Sequence, residues 1–203
     1  MSLSRNGFLK MLGLGALAAG SKAYGLPSKA LEDARAAAKK LKITDVEIFL
    51  FDIPLTSPFR IAIGEMKAAN DLLIRIHTDQ GIVGLGEACP FPPITGETQA
   101  TNAAAARSIR DMLIGKDPLA IDALLREIGP LVHSNPSAVA AFDMGLHDIL
   151  GKVAGLPLFR LLGGTKNQFE TDITTSLDTL ENMTAESKKY ADMGYKTLKV
   201  KVG

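Results

Sequence analysis

The sequence predicts an α+β unit of three antiparallel strands and several helices, followed by one parallel strand–helix–strand unit. Three observations lead to this expectation. β-Branched and aromatic residues concentrate between Ile43 and Ala88, in extended runs separated by turns. Helical periodicity and helix-terminating residues dominate from Glu97 to Gly155. The chain then alternates strand, helix and strand over 166–203, which indicates a parallel sheet.

The first strand of the antiparallel sheet corresponds to the run ITDVEIFLFDIPL, which begins at Ile43. Pro54 and Pro58 are expected to bound its far end, because proline cannot donate to a strand ladder. Two further strands are predicted between Asp71 and Ala88, joined by a short turn at 79–81 that contains a glycine. Together the three strands form an antiparallel meander.

Three helices are expected after the sheet. An alanine-rich helix is predicted between Glu97 and Ile114. A second is predicted with Asp117 as its N-cap and Pro118 as its first helical residue. The third starts with Asn-Pro at 135–136 and stops at Gly155, with its apolar residues on one side.

The last segment reads as a βαβ unit. The strand FETDITTSLDT, the helix ENMTAESKKYADMG and the strand TLKVKVG follow one another within the range 169–203. A βαβ unit implies a parallel sheet, and two parallel strands cannot cover themselves. We therefore expect more chain to follow Gly203.

The amino-acid composition excludes several classes of function. The 203 residues are 46% hydrophobic, and 23 Lys plus Arg residues nearly balance 22 Asp plus Glu residues. A broad basic surface for nucleic acid is therefore not expected. Cys89 is the only cysteine, which excludes an intramolecular disulfide and a cysteine-rich zinc site. The three histidines lack metal-ligand spacing, and GLGEA is an incomplete nucleotide-binding glycine pattern.

Residues 1–25 have the layout of an export signal, with basic residues followed by a short apolar run at 11–20. SRNGFLK resembles a degenerate twin-arginine pattern in which Asn6 stands at the place of the second arginine. Ten apolar residues are too few to span a bilayer, so no stable membrane anchor is expected. We predict a periplasmic or otherwise exported protein, the alternative being a cytoplasmic protein with an amphipathic tail. Residues 26–42 read as a charged, helix-prone linker.

Two lysines lie one residue apart in the final strand. Side chains alternate across a strand, so Lys199 and Lys201 share one face with Thr197. In a parallel barrel this face points inward, where an unpaired and dry ammonium costs several kcal/mol. Near the carboxyl end of the strand, the pair would open onto the face where barrel active sites lie. The alternative is an edge strand with both lysines in water.

Such a pair has a chemical use. A lysine is a base only when neutral, and a neighbouring cation together with desolvation favours its neutral form. With Lys199 as the neighbouring cation, Lys201 could remove a carbon-bound proton next to a carboxylate or carbonyl. A metal would be needed to stabilise the resulting enolate.

Longer stretches carry a family resemblance. AAFDMGLHDILGKVAGLPLFRLLGG, ETDITTSLDT and TLKVKVG, in this order, resemble the enolase superfamily, in its muconate-cycloisomerase subgroup, and most closely the dipeptide epimerases. GLGEACPFPPITGET and IPLTSPFRIAIGE look like capping-domain segments of those enzymes. The resemblance implies an α+β capping domain at 43–165 and a modified (β/α) TIM barrel. Residues 166–203 would be the first βαβ unit of this barrel, truncated after its second strand.

The resemblance also implies roles for residues. By position, Lys201 matches the proton-transferring lysine, and Lys199 matches its partner, which also approaches the substrate. Thr174 resembles the residue that contacts the dipeptide. Epimerases for dipeptides ending in glutamate carry an arginine in the loop after the Pro-Phe at 58–59, and that place falls here on Gly64.

Arg60 or Lys67 could supply a positive charge from another position, but the simpler expectation is a substrate without an acidic side chain. The implied cofactor is Mg²⁺, and the implied partner is a small-molecule dipeptide. A homo-oligomer is possible for the full-length enzyme.

The family's three carboxylate metal ligands and its opposite-face lysine belong to strands expected beyond Gly203, so we expect no metal ligands within this chain. One lysine cannot both remove and return a proton on opposite faces, and the chain alone is expected to be inactive. One alternative is another reaction of the subgroup, cycloisomerisation or o-succinylbenzoate synthesis. The other is a non-catalytic capping-domain fragment.

Overall fold

The structure is a computed structural model that describes residues 41–202. The predicted export signal, and the predicted linker up to residue 40, lie outside the described residues. No helix within 41–202 combines the length and the apolar character that crossing a bilayer requires.

The antiparallel sheet has three strands in the order in which they occur along the chain. They are β1 (Ile43–Ile61), β2 (Gly64–Thr78) and β3 (Val83–Ala88). Ile74, at the centre of β2, pairs with Ile48 on one side and with Gly86 on the other. Gly81 takes a φ of 74° in the turn before β3, as the sequence predicted for this turn.

The expected end of the first strand is wrong, because β1 passes through both prolines and ends at Ile61. β1 lies at the edge of the sheet, where a missing N–H does not break pairing on two sides. The register also shifts between Pro54 and Phe59, which takes up the irregularity. The result is a β1–β2 hairpin with a long outer end, residues 58–66, which we call the distal hairpin.

Six helices are present among the described residues. The first three are α1 (Pro92–Thr95), α2 (Gln99–Leu113) and α3 (Ile121–Leu131), and the last three are α4 (Pro136–Ala154), α5 (Leu158–Leu161) and α6 (Leu180–Asp192). Thr98 and Thr101 form a capping box at the start of α2, which agrees with the predicted alanine-rich helix. The one-turn helices α1 and α5 were not predicted.

The expected start of the second helix is wrong. The Asp117 Oδ1 atom accepts a hydrogen bond from the Leu119 N–H at 2.9 Å, and its carbonyl accepts one from the Ala120 N–H at 3.1 Å. These bonds close a turn on the aspartate itself, so the helix begins only at Ile121.

The long helix α4 occupies the predicted span and ends at Gly155, whose φ is 63°. At its amino terminus, the side chain of the N-cap residue Asn135 makes no capping bond. The Glu97 carboxylate, 1% exposed, instead accepts hydrogen bonds from the Ser137 N–H at 2.9 Å and from the Ser137 hydroxyl. A residue that precedes α2 thus joins α2 to α4.

The core lies between one face of the sheet and the helices. Its largest fully buried members include Leu72, Ile74 and Ile76 from β2 and Phe142, Leu146 and Ile149 from α4. A Cβ placed on Gly86 would lie 1.8 Å from the Ala141 carbonyl oxygen, and one on Gly84 would lie 2.1 Å from the Gly145 carbonyl oxygen. The glycines of GLGEA therefore allow α4 to approach β3 closely.

The last unit contains β4 (Ile173–Thr175), α6 and β5 (Leu198–Val200). The two strands pair in parallel with Thr174 opposite Lys199, as the alternation of elements predicted. Both strands are shorter than the predicted runs. On the side of the final strand opposite the lysines, Val200 is 49% exposed and Val202 is 82% exposed within the described residues.

We predict that Gly86→Ala destabilises the protein by about 3 kcal/mol, because the added methyl group meets helix backbone that cannot rotate away. Urea unfolding measures the change in the free energy of unfolding. The matched control is Gly129→Ala, since a Cβ there meets nothing within 4 Å and alanine favours the helix by about 1 kcal/mol. Equal stability of the two variants would contradict the proposed close approach.

Candidate functional site

The candidate site is the face of the parallel strand pair that points away from α6. The Thr175 hydroxyl lies 3.2 Å from the Ser187 hydroxyl of α6, so the Thr175 side of β4 faces the helix. Alternation places Thr174 and Ser176 on the opposite face. The pairing of Thr174 with Lys199 extends this face to β5, and alternation adds Lys201. Thr174, Lys199 and Lys201 therefore share one surface.

The two lysines differ in their surroundings. Lys199 is exposed, whereas Lys201 is half-buried. The Lys201 N–H donates to the Thr175 carbonyl at 3.1 Å, which continues the parallel ladder past β5. The Lys201 Nζ atom lies 5.9 Å from the centroid of the Phe59 ring, within the range of a cation–π contact. Among residues 41–202, neither ammonium forms an ion pair.

The distal hairpin meets the carboxyl end of β4 through the backbone. The Arg60 N–H donates to the Ser176 hydroxyl at 2.6 Å, and the Leu177 N–H donates to the Arg60 carbonyl at 3.1 Å. Phe59, the residue before Arg60, also packs edge to face against Phe91, with ring centroids 6.4 Å apart. The hairpin thus forms one wall of the candidate site.

The Arg60 side chain forms a second link between the same two segments. Its Nε donates to Glu65 Oε2 at 2.6 Å, and its Nη1 donates to Asp178 Oδ2 at 3.3 Å. The hydrogen bond from Arg60 lowers the pKa of the Glu65 carboxyl. The pKa of Asp178 is lowered first by the Thr179 N–H, then by the Asn182 amide, with a smaller contribution from the Arg60 charge.

The other predicted substrate-binding positions lie in the distal hairpin or beside it. Gly64 starts β2 and lies against Pro93, whose Cγ atom would be 2.6 Å from a Cβ at this position. Lys67 is 80% exposed in its side chain, and its Nζ atom lies 3.6 Å from Glu65 Oε1. The structure therefore places Arg60 at the junction of the two segments, where its guanidinium already has two carboxylate partners.

Three residues of this junction were not singled out from the sequence. Phe59, Ser176 and Asp178 lack a local motif, and the contact between Arg60 and Ser176 spans 116 residues. The one available signal was Asp178-Thr179 at the end of a predicted strand, which is typical of a helix start and does not by itself indicate a site.

The described residues do not supply a metal site. Within 41–202, no group of three or more histidine, cysteine, aspartate or glutamate side chains is arranged to hold an ion. His77 instead lies 2.6 Å from Glu47, and His147 lies 2.8 Å from Asp143. The expectation that this part of the chain carries no metal ligands remains an expectation.

A second polar cluster lies on the face of the antiparallel sheet opposite the core. It contains Asp71 on β2, Glu87 on β3 and Cys89 directly after β3. Asp71 is 3% exposed, and its Oδ1 atom has no hydrogen-bond partner among the described residues. Partial burial, followed by the nearby Asp71 and Glu87 carboxylates, raises the pKa of the Cys89 thiol to about 11.

Comparison with known proteins identifies the family. Residues 43–163 match the N-terminal domain of the mandelate racemase / muconate lactonizing enzyme family. The chain belongs to this family. The resemblance to the enolase superfamily that the sequence indicated is therefore confirmed. So is the predicted fold class, an α+β capping domain followed by the start of a barrel.

The mandelate racemase / muconate lactonizing enzyme relatives of the chain are isomerases. The L-Ala-D/L-Glu epimerase of Clostridium acetobutylicum is 38% identical over 162 residues, 79% of this chain and 45% of that protein. The N-succinyl-L-Arg/Lys racemase of Bacillus cereus is 30% identical over 165 residues, 80% of this chain and 45% of that protein. The crystal structure of a dipeptide epimerase from Cytophaga hutchinsonii, complexed with Mg and the dipeptide D-Ala-L-Val, superposes with a TM-score of 0.78 at 35% identity.

That structure is matched over 80% of this chain and 44% of its own. The chain thus spans less than half the length of these relatives.

We predict that Cys89 reacts slowly with alkylating reagents despite its exposure, because the thiolate is the nucleophile and its pKa is about 11. At pH 8, iodoacetamide should modify Cys89 about tenfold or more slowly than a cysteine in a short peptide. The rate, followed by mass spectrometry, should keep rising up to pH 11.

The Asp71→Asn variant should accelerate alkylation at pH 8, since it removes a charge that disfavours the thiolate. Asp111→Asn on the exposed side of α2 is the matched control. A rate equal to that of the peptide in the parent protein would contradict this account of the cluster.

Proposed function

We propose that this chain is the N-terminal part of a Mg²⁺-dependent dipeptide epimerase, which removes and returns a proton at the α-carbon next to a carboxylate. The observation that carries the proposal is the surface shared by Thr174, Lys199 and Lys201, covered at one side by the distal hairpin. The relatives support the reaction class, because they include dipeptide epimerases and an amino-acid racemase.

Lys201 is proposed as the base on one face of the substrate. Its Nζ atom lies at an apolar wall, beside the Phe59 ring and without a carboxylate partner among the described residues. A base in such a place can accept a carbon-bound proton. Lys199, on the same face, supplies the neighbouring positive charge and binds a substrate oxygen. Thr174 is proposed to hydrogen-bond the dipeptide backbone from the adjacent strand.

Mg²⁺ is proposed as the cofactor by family resemblance, because related structures contain Mg together with a dipeptide. A hard cation of this kind stabilises negative charge on a substrate oxygen. Residues 41–202 offer no ligand cluster for it, so the proposal places its ligands in the part of the relatives that this chain does not match. The lysine of the opposite face is proposed to lie there as well.

The proposed substrate is a dipeptide without an acidic side chain. The position that would carry a carboxylate-binding arginine is Gly64, which contributes no side chain. The Phe59 ring lies beside Lys201 and packs against Phe91, and aromatic rings favour apolar groups. The guanidinium of Arg60 already donates hydrogen bonds to Glu65 and Asp178, whose charges offset its own.

The proposal is tested by assaying the full-length protein that contains this chain against a dipeptide library with Mg²⁺ present. We expect epimerisation at one α-carbon, detected by mass increase in D₂O, with dipeptides bearing apolar side chains ahead of those bearing glutamate. Loss of activity on chelation and recovery with Mg²⁺ would support the cofactor. Turnover of a muconate or dehydration of a succinylbenzoate precursor, with no exchange on any dipeptide, would favour the other reactions of the subgroup.

We predict that Lys201→Ala in the full-length protein abolishes deuterium exchange at the α-carbon for the epimer whose proton faces Lys201. A loss of at least about a hundredfold is expected, because general-base catalysis contributes about 10²–10⁴ in rate. Exchange from the opposite epimer should persist as a partial reaction.

Lys188→Ala is the matched control, since Lys188 lies on the α6 surface and pairs with Asp192. Undiminished exchange in Lys201→Ala would remove Lys201 from the mechanism.

A further inference from the structure

The charge of Arg60 suggests that it binds the substrate. Its contacts with Glu65 and Asp178 suggest a different role. Resting on the proposed function, we infer that Arg60 is a positioning residue, which holds Phe59 against Lys201, and that it does not bind the substrate side chain. Arg60 lies at the contact between the distal hairpin and the end of β4, directly beside the proposed base Lys201.

The first support is the double backbone contact. The Arg60 N–H and carbonyl are both used, by the Ser176 hydroxyl at 2.6 Å and by the Leu177 N–H at 3.1 Å. The Ser176 oxygen also lies 3.4 Å from the Pro58 carbonyl, so this hydroxyl touches the hairpin on both sides of Phe59. Fixing the backbone of Arg60 at two points fixes the direction in which the neighbouring Phe59 ring projects.

The second support is the fork geometry of the guanidinium. One nitrogen donates to Glu65 in the distal hairpin and another donates to Asp178 after β4. A planar guanidinium can hold two carboxylates at a set angle, which a single ammonium cannot do. Arg60 thus links the hairpin to the strand end through its side chain as well as through its backbone.

As a consequence, the Phe59 ring shelters the Lys201 amine. The Lys201 Nζ atom lies 5.9 Å from the Phe59 ring centroid, and Lys201 is less exposed than Lys199. Because the ring belongs to the hairpin and the amine belongs to the strand, their distance depends on the junction that Arg60 closes. A misplacement of about 1 Å in a catalytic geometry can cost about 10²-fold in rate.

The test compares Arg60→Met and Arg60→Lys in the full-length protein, with Arg126→Met as the matched control on the exposed side of α3. For Arg60→Met, we expect kcat to fall roughly ten- to a hundredfold for acidic and apolar dipeptides alike, with KM changed less than about threefold. Arg60→Lys should recover part of kcat, since it retains the charge but not the fork. A loss confined to acidic dipeptides and expressed in KM would overturn the inference.

A second measurement does not depend on turnover. Reductive methylation of lysines, followed by peptide mass spectrometry, reports the accessibility of the Lys201 amine, and the exposed Lys188 serves as internal reference. We expect methylation of Lys201 to accelerate severalfold in Arg60→Met and in Phe59→Ala. An unchanged rate in both variants would overturn the inference. If the parent protein epimerises no dipeptide, the proposed function fails, while this measurement still decides whether Arg60 shelters Lys201.

Discussion

The junction between the distal hairpin and the end of β4 is the contact on which the candidate site depends. The antiparallel sheet has its own core against α4, whereas α6 has no buried residue and the parallel strands are three residues long. The hydrogen bonds of Arg60 to Ser176 and Leu177 join these two parts at the surface that carries Lys201. Without these hydrogen bonds, the Phe59 ring would no longer be held beside Lys201, even if both parts stayed folded.

Features that depend on neighbours in sequence could be predicted well. The span of α4 followed from Pro136 at its start and Gly155 at its end, because each residue suits one backbone conformation at a helix terminus. The shared face of Lys199 and Lys201 followed from the two-residue period of a strand, and the parallel pairing of β4 with β5 followed from the βαβ unit. These signals need no knowledge of what packs against them.

Features that depend on distant contacts could not be predicted. Pro54 and Pro58 read as strand ends, and only the edge position of β1 explains why the strand continues. Glu97 looked like a residue of its own helix, yet it caps α4 through Ser137, 40 residues away. Arg60 read as a free cation because Asp178 follows it by 118 residues.

The two carboxylates of the junction explain why an arginine suits it better than a neutral residue. Glu65 and Asp178 both lie at the junction, and Arg60 binds both of them. The side chain that links the hairpin to the end of β4 therefore also offsets part of the negative charge there. Replacing Arg60 by methionine removes the side-chain link and the charge but leaves the backbone contacts in place, whereas lysine restores only the charge, so the comparison of these two variants separates geometry from electrostatics.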